Sequence, residues 1–213
     1  MLFSLFAVLA FLSGLASAHF RLLYPEPRGL YVADEEPKFC GGYNNAVSNR
    51  TIFPLSGGFF TVNSGHGGWT AGVIISTVQN PTSFDNFSVS GQQQIVGPYA
   101  KEEAAGTFCI PLNISAAGID GATDGANVTI QIVFAGGDGN LYQCADLTLS
   151  SELTAPPNAT CHNETATDHH GSELSTSTAP SASQTAGSLG LSHAFAGYSA
   201  ILLGLGGITL LLL

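Results

Sequence analysis

Positive charge is what this chain has least of. Five Lys and Arg stand against fifteen Asp and Glu, giving a net charge of -10, and every charged residue lies between Arg21 and Glu173. No basic patch exists to line a phosphate groove, so nucleic acid is not an expected partner. The acidic balance favours solubility and attracts cations weakly, and it says nothing about fold. No Cys-x-x-Cys occurs, which argues against a dithiol redox pair and a zinc knuckle. Neither a Gly-x-Ser-x-Gly elbow nor a phosphate loop is present, and each would have marked a familiar class of group transfer. Glu102-Glu103 is an adjacent pair of carboxylates. With Lys101 beside it to neutralise one member, it reads as a solvated acidic pair rather than a glycosidase dyad. No window carries convincing helical periodicity.

What is there begins at the ends. The apolar run after Met1 closes in Ala16-Ser17-Ala18, and the next residue is His19. An Ala-x-Ala tripeptide ending such a run is a signal-peptidase site, so residues 1–18 read as a signal peptide and the secreted chain is expected to begin with His19. From about Thr165 the composition turns to Ser, Thr, Ala, Pro and Gly. A segment so poor in large apolar residues cannot offset its ordering entropy, and 164–187 reads as a disordered, O-glycosylated stalk. The stretch from Ala194 to Leu213 is apolar and uncharged, with small residues from Ala182 to Ser188 a short spacer upstream. That layout is a glycosylphosphatidylinositol attachment signal, so 188–213 is expected to be removed and the protein tethered to the outer leaflet, on the plasma membrane or in the cell wall. A tail-anchored span is the alternative.

One domain, 19–163, remains. Cys40, Cys109, Cys144 and Cys161 enter an oxidising compartment, where two disulfides are the natural outcome. Three pairings are open; we lean to Cys40–Cys144 with Cys109–Cys161, and sequence does not decide. Sequons at Asn49, Asn86, Asn113, Asn127, Asn158 and Asn163 imply a glycosylated surface. Between the ends the apolar runs are short, rich in β-branched and aromatic residues, and punctuated by Gly, Pro and Asn. Strands are expected at 58–63, 71–78, 84–90, 107–112, 127–134 and 140–149. In 127–134, Val128, Ile130, Ile132 and Phe134 alternate with Thr129 and Gln131, the pattern of a strand with one buried side. The fold class is therefore all-β: an immunoglobulin-like antiparallel sandwich with disulfides, followed by the Ser/Thr-rich tail.

A chain-terminal histidine is chemically special. Its α-amine titrates near ~8 and its imidazole near ~6.5, so both lose protons at modest cost. Amine and Nδ1 can close a chelate ring on one ion, and such nitrogen-rich, flattened ligation suits Cu(II). A second histidine, His66, stands in Asn63-Ser64-Gly65-His66-Gly67-Gly68-Trp69, where flanking glycines leave the imidazole open. Two histidines then supply three nitrogens in a T. Asp138, in Gly136-Gly137-Asp138-Gly139, could add a carboxylate from a turn between strands, with Asp146 as second candidate. Trp69 reads as core, or as part of a shell around the metal. His162, His169 and His170 sit near or in the tail and read as solvated, and His193 falls within the anchor signal.

These features together resemble the fungal lytic polysaccharide monooxygenase-like copper-binding proteins of the copper acquisition factor type. The likeness rests on the signal peptide followed at once by His19, the internal Gly-His-Gly, the acidic turn leading into Leu-Tyr-Gln-Cys-Ala-Asp, and the tail with its lipid-anchor signal. It spans His19 to about Cys161. It implies an immunoglobulin-like sandwich holding one copper ion through His19, His66 and Asp138, serving copper handling at the cell surface. A monomer is expected, with a membrane copper transporter as partner and no catalytic residue. The runner-up is a copper monooxygenase acting on cell-wall glycan. Oxidative cleavage wants an open copper on a flat aromatic face, whereas a carboxylate ligand would fill that coordination space; Tyr24, Tyr31 and Tyr43 are the residues that could form a stacking patch.

Overall fold

The computed structural model describes residues 19–137 and 139–165. The expected signal peptide, the attachment signal, Asp138, the tail histidines 169, 170 and 193, and all of the stalk except Glu164 and Thr165 lie outside the described residues.

The described residues form eleven strands in order: β1 (Phe20–Tyr24), β2 (Thr51–Pro54), β3 (Gly58–Ser64), β4 (Trp69–Ser76), β5 (Ser88–Val89), β6 (Gln92–Gln93), β7 (Ala100–Glu102), β8 (Gly106–Leu112), β9 (Asn127–Ala135), β10 (Asn140–Ser150) and β11 (Glu164–Thr165). Among the described residues there is no α-helix, only short 3-10 turns. A four-stranded sheet runs β1-β3-β8-β11 and a five-stranded sheet runs β2-β10-β9-β4-β7. Every pairing is antiparallel except β2 with β10, which is parallel.

The core lies between these sheets. Phe20, Phe60, Val62 and Phe108 come from the first sheet, and Trp69, Val73, Ile75, Ile130, Ile132, Phe134 and Leu147 from the second. Phe20 stacks on Phe134 at 4.6 Å between ring centroids, and Trp69 packs on both Phe134 and Phe108. Trp69 is thus a core residue. Each such ring contributes about 1.5–3 kcal/mol by leaving water, and the Phe20 stack fixes the residue next to His19.

Two expectations need correction. Residues 84–90 are not one strand: Phe84–Phe87 is a 3-10 turn, with only Ser88–Val89 extended. The cause is local. Asn86 Oδ1 accepts hydrogen bonds from the Thr82 and Ser83 N–H groups, at 2.9 and 3.2 Å, and winds the chain. Nor does β9 have only one buried side, since Thr129 and Gln131 are as inaccessible as Ile130 and Ile132. The long connection between β1 and β2 covers the outer face, and from it Arg28 and Cys40 meet these polar groups, although Gln131 Oε1 keeps no hydrogen-bond partner among the described residues. Gln131 donates to the sulfurs of Cys40 and Cys144, and Thr129 donates to Asp146. Strands β1, β2 and β7 were missed because they are short and lie at or beside sheet edges, where apolar runs are brief.

The disulfides are Cys40–Cys144 and Cys109–Cys161, with Cα atoms 4.8 and 5.3 Å apart. The first clamps the covering connection to β10; the second ties β8 to the segment leading into β11.

Candidate metal centre

Strand register brings the two candidate histidines to one rim of the sandwich. Phe20 is paired with Ser64 across β1 and β3, so His19 sits immediately beside the end of β3, and His66 follows two residues later. One hydroxyl stitches the two together. Ser64 Oγ lies 3.0 Å from the carbonyl of His66 and 3.4 Å from that of His19, and it accepts from the His66 N–H at 3.3 Å.

The turn that presents His66 is exposed but anchored. The Gly68 N–H donates to the Glu102 carbonyl at 2.9 Å. Gly67 packs so tightly against the Glu103 carbonyl that a Cβ could not be accommodated, and Gly68 has φ +75°. The glycines are there for this close approach and this backbone conformation, as well as for leaving the imidazole open. The same rim receives the β9–β10 turn, because Ala135, the last residue of β9, pairs with Thr70 of β4 and with Asn140 of β10. Asp138 lies outside the described residues; its neighbours Gly137 and Gly139 have φ +115° and +103°.

The imidazole of His19 meets a partner that sequence reading did not single out. Glu36 is buried, and its Oε2 lies 2.6 Å from His19 Nδ1, with the histidine side chain 39% exposed and the glutamate 1%. The other carboxylate oxygen, Oε1, accepts from Phe20 N–H and from Gln143 Nε2, both at 3.2 Å, while the Tyr31 hydroxyl donates to Oε2 at 3.3 Å. Gln143 does more: its Nε2 donates to the Phe20 carbonyl at 2.8 Å and its Oε1 accepts from the Leu22 N–H at 2.9 Å. The free edge of β1 is therefore paired by side chains in place of a neighbouring strand. Tyr31 stands edge-on to His19 at 6.3 Å, under the Arg21 guanidinium at 4.5 Å. Burial pushes the Tyr31 phenol up, Glu36 pushes it further, and Arg21 partly opposes this. Glu36 escaped notice because it sits in an acidic run before Pro37, which looks solvated in sequence; only the covering connection turns it inward.

Asp146 is committed elsewhere. It is buried against Arg28, with bonds at 2.8 and 3.0 Å, and accepts from Thr129 and the Val47 N–H. That removes it as second candidate for a metal-binding carboxylate. Lys101 pairs with Glu103 at 2.7 Å, the neutralisation expected of that acidic pair, and His162 pairs with Glu164 at 3.0 Å. The tyrosines do not form one stacking face. Tyr24 packs inward on Phe53 and Phe59, where burial pushes its phenol up to about 12, whereas the Tyr43 hydroxyl donates to the Leu30 carbonyl.

Among the described residues no three His, Cys, Asp or Glu side chains already converge as a metal cage. The rim instead offers two accessible imidazoles, one of them against a buried carboxylate. Soft-to-borderline nitrogen donors of this kind fit copper better than calcium or magnesium, which require all-oxygen shells.

Comparison with known proteins bears on the same chemistry. The sequence profile described as "Copper acquisition factor BIM1-like" matches residues 17–166. The chain is 40% identical over 160 residues to the copper acquisition factor BIM1 of Cryptococcus neoformans var. neoformans, covering 74% of this chain and 72% of that one. It is 33% identical over 154 residues to the lytic polysaccharide monooxygenase-like protein ham-7 of Neurospora crassa, covering 64% and 66%. To the lytic polysaccharide monooxygenase-like protein X325 of Yarrowia lipolytica it is 30% identical over 162 residues, covering 74% and 58%. An all-β sandwich with two disulfides, histidines gathered on one rim and a profile match through the whole described domain make this chain a member of the BIM1-like copper acquisition factor family.

Proposed function

We propose that this protein captures copper as its cargo at the outer face of the plasma membrane and hands it to a membrane transporter, without cleaving polysaccharide. After removal of residues 1–18, the α-amine and Nδ1 of His19, the imidazole of His66 and the carboxylate of Asp138 hold one ion. The observation that carries the reading is the shared rim. The Phe20–Ser64 pairing and the Ser64 hydroxyl set His19 and His66 side by side, and the Ala135–Thr70 pairing leads the turn containing residue 138 toward the same end. Support also comes from the profile match opening at residue 17, two positions before His19, and from the copper acquisition factors among its relatives. Lipid anchoring and surface glycans rest on the attachment signal and the sequons.

Copper titration of the secreted protein, with its N-terminal residue read by mass spectrometry, tests this directly. We expect one tight site on a chain starting at His19, lost when a single residue is added before it and weakened by orders of magnitude in His66→Ala. Incubation with wall polysaccharide, reductant and peroxide addresses the enzymatic alternative. Oxidised oligosaccharides would overturn the non-catalytic assignment.

A further inference from the structure

Glu36 is a buried acid with an unusual allocation of its lone pairs. Oε1 is fully engaged by Phe20 N–H and Gln143 Nε2, whereas Oε2 holds only the long bond from Tyr31 and the short contact with His19 Nδ1. Phe20 and Gln143 both belong to strands, so the carboxylate is fixed by the sandwich itself. Its histidine partner is the more exposed of the two.

In the reading above, Nδ1 of His19 is a copper donor, and the same atom faces Oε2 at 2.6 Å. An ion cannot lie on the line between atoms this close, because first-row divalent metals keep nitrogen and oxygen donors at about 2.0–2.2 Å and a linear arrangement would need ~4 Å. Two donors at right angles around one ion are separated by about 2.8–3.1 Å at those bond lengths. The observed separation is close to that edge. In this contact Nδ1 carries the hydrogen and donates it to Oε2. An ion would take the place of that hydrogen, and turning the imidazole about its side-chain bonds would set the Nδ1 lone pair and Oε2 side by side on the ion.

We propose that Glu36 is itself a copper ligand, supplying Oε2 from the buried side of the rim next to His19 Nδ1. The inference rests on the copper-capture reading and adds a donor to it. Its consequence is electrical: the buried carboxylate offsets part of the charge of Cu(II) in a partly buried site. Charged oxygen donors also favour the divalent over the monovalent ion. Such a site retains Cu(II) and leaves less open coordination space for dioxygen.

Two measurements on the secreted protein test the assignment. The first compares wild type with Glu36→Gln by Cu(II) titration and electron paramagnetic resonance. Loss of a direct ligand is expected to weaken binding by more than the ~10–100-fold seen when a carboxylate only supports a metal ligand, and to change the copper hyperfine pattern. The second needs no variant. Infrared difference spectra of wild type labelled with 13C-carboxylate glutamate should show a glutamate band shifting when copper is added. A Glu36→Gln protein with unchanged affinity and spectrum, or no shift of any glutamate band, overturns the proposal while leaving the His19–His66 reading intact. Unchanged affinity in His66→Ala combined with loss in Glu36→Gln would sink the two-histidine arrangement and uphold Glu36. A wild-type protein that takes up no copper overturns both.

Discussion

Arg28 and Asp146 form a bidentate ion pair from which solvent is wholly excluded, with both side chains at 0% exposure. Arg28 follows β1 and opens the covering connection, while Asp146 sits on the outer face of β10, so the pair nails that connection to the sheet. Its guanidinium also donates to the carbonyls of Tyr43 and Pro81. Glu36 hangs from the same connection, and its position depends on this anchor.

Removing one partner leaves a charge buried without its counter-ion. Asp146→Asn is expected to destabilise the domain by about 3–5 kcal/mol, measured by denaturant unfolding near neutral pH. Burial alone would raise the Asp146 pKa, but hydrogen bonds from Arg28, Thr129 and Val47, with the Arg28 charge, outweigh it and hold the group below its ordinary value. A carboxylate held lower in the folded state stabilises above its unfolded pKa of about 3.9 and ceases to do so as pH falls through the folded value. The gap between wild type and Asp146→Asn should therefore narrow on acidification below about pH 4. A gap that stays constant down to the folded value would show that the pair does not govern acid stability.

The sandwich was readable because its long strands carry their own evidence. Val128, Ile130, Ile132 and Phe134 alternate, and β9 forms there. The candidate histidines were readable for a different reason: one follows Ala16-Ser17-Ala18 at the end of an apolar run and the other lies among glycines. Their adjacency was not, since it comes from the register of β1, a short edge strand whose sequence is unremarkable. Glu36, Gln143 and Arg28 escaped for the same physical reason. Each is a polar residue whose role arises from long-range burial, and no local period marks a glutamate that meets a histidine 17 positions away or a glutamine bonded to backbone 123 positions away.

The tight approach of Gly67 to the Glu103 carbonyl gives a way to disturb copper binding without removing any donor. Gly67→Ala forces the turn off the 102–104 segment and shifts His66 relative to His19. Copper affinity is expected to fall at least tenfold, whereas Gly65→Ala, with nothing near its added Cβ, should have little effect. Equal affinities in the two variants, measured by competition with a copper chelator, would show that the turn's pose is immaterial.

The two disulfides should differ in what they protect. Cys40–Cys144 closes 104 residues and Cys109–Cys161 closes 52, so in the chain-entropy model each contributes about 4–5 kcal/mol, with little to separate them. Only the first lies four positions from Glu36 and is met by Gln131 Nε2. Replacing Cys40 and Cys144 by Ala is expected to lower both melting temperature and copper affinity. Replacing Cys109 and Cys161 should lower melting temperature alone. Copper titration of the two double variants at a temperature where both remain folded distinguishes these outcomes, and a matched loss of affinity would remove the link between the first bridge and the rim.

Gln143 offers the sharpest test of how the edge of β1 is held. Its amide supplies a donor to the Phe20 carbonyl and an acceptor to the Leu22 N–H, groups that a neighbouring strand would otherwise satisfy. Gln143→Met keeps the length of the side chain and removes both partners, at about 1–3 kcal/mol for each buried backbone group left unpaired. Hydrogen exchange should report this locally, with Leu22 losing protection while Ile132, in the middle of β9, exchanges with global unfolding as before. Because His19 is carried on the first residue of that edge, copper affinity should drop together with Leu22 protection. If exchange at Leu22 quickens and affinity does not change, His19 is positioned by something other than the pairing of β1.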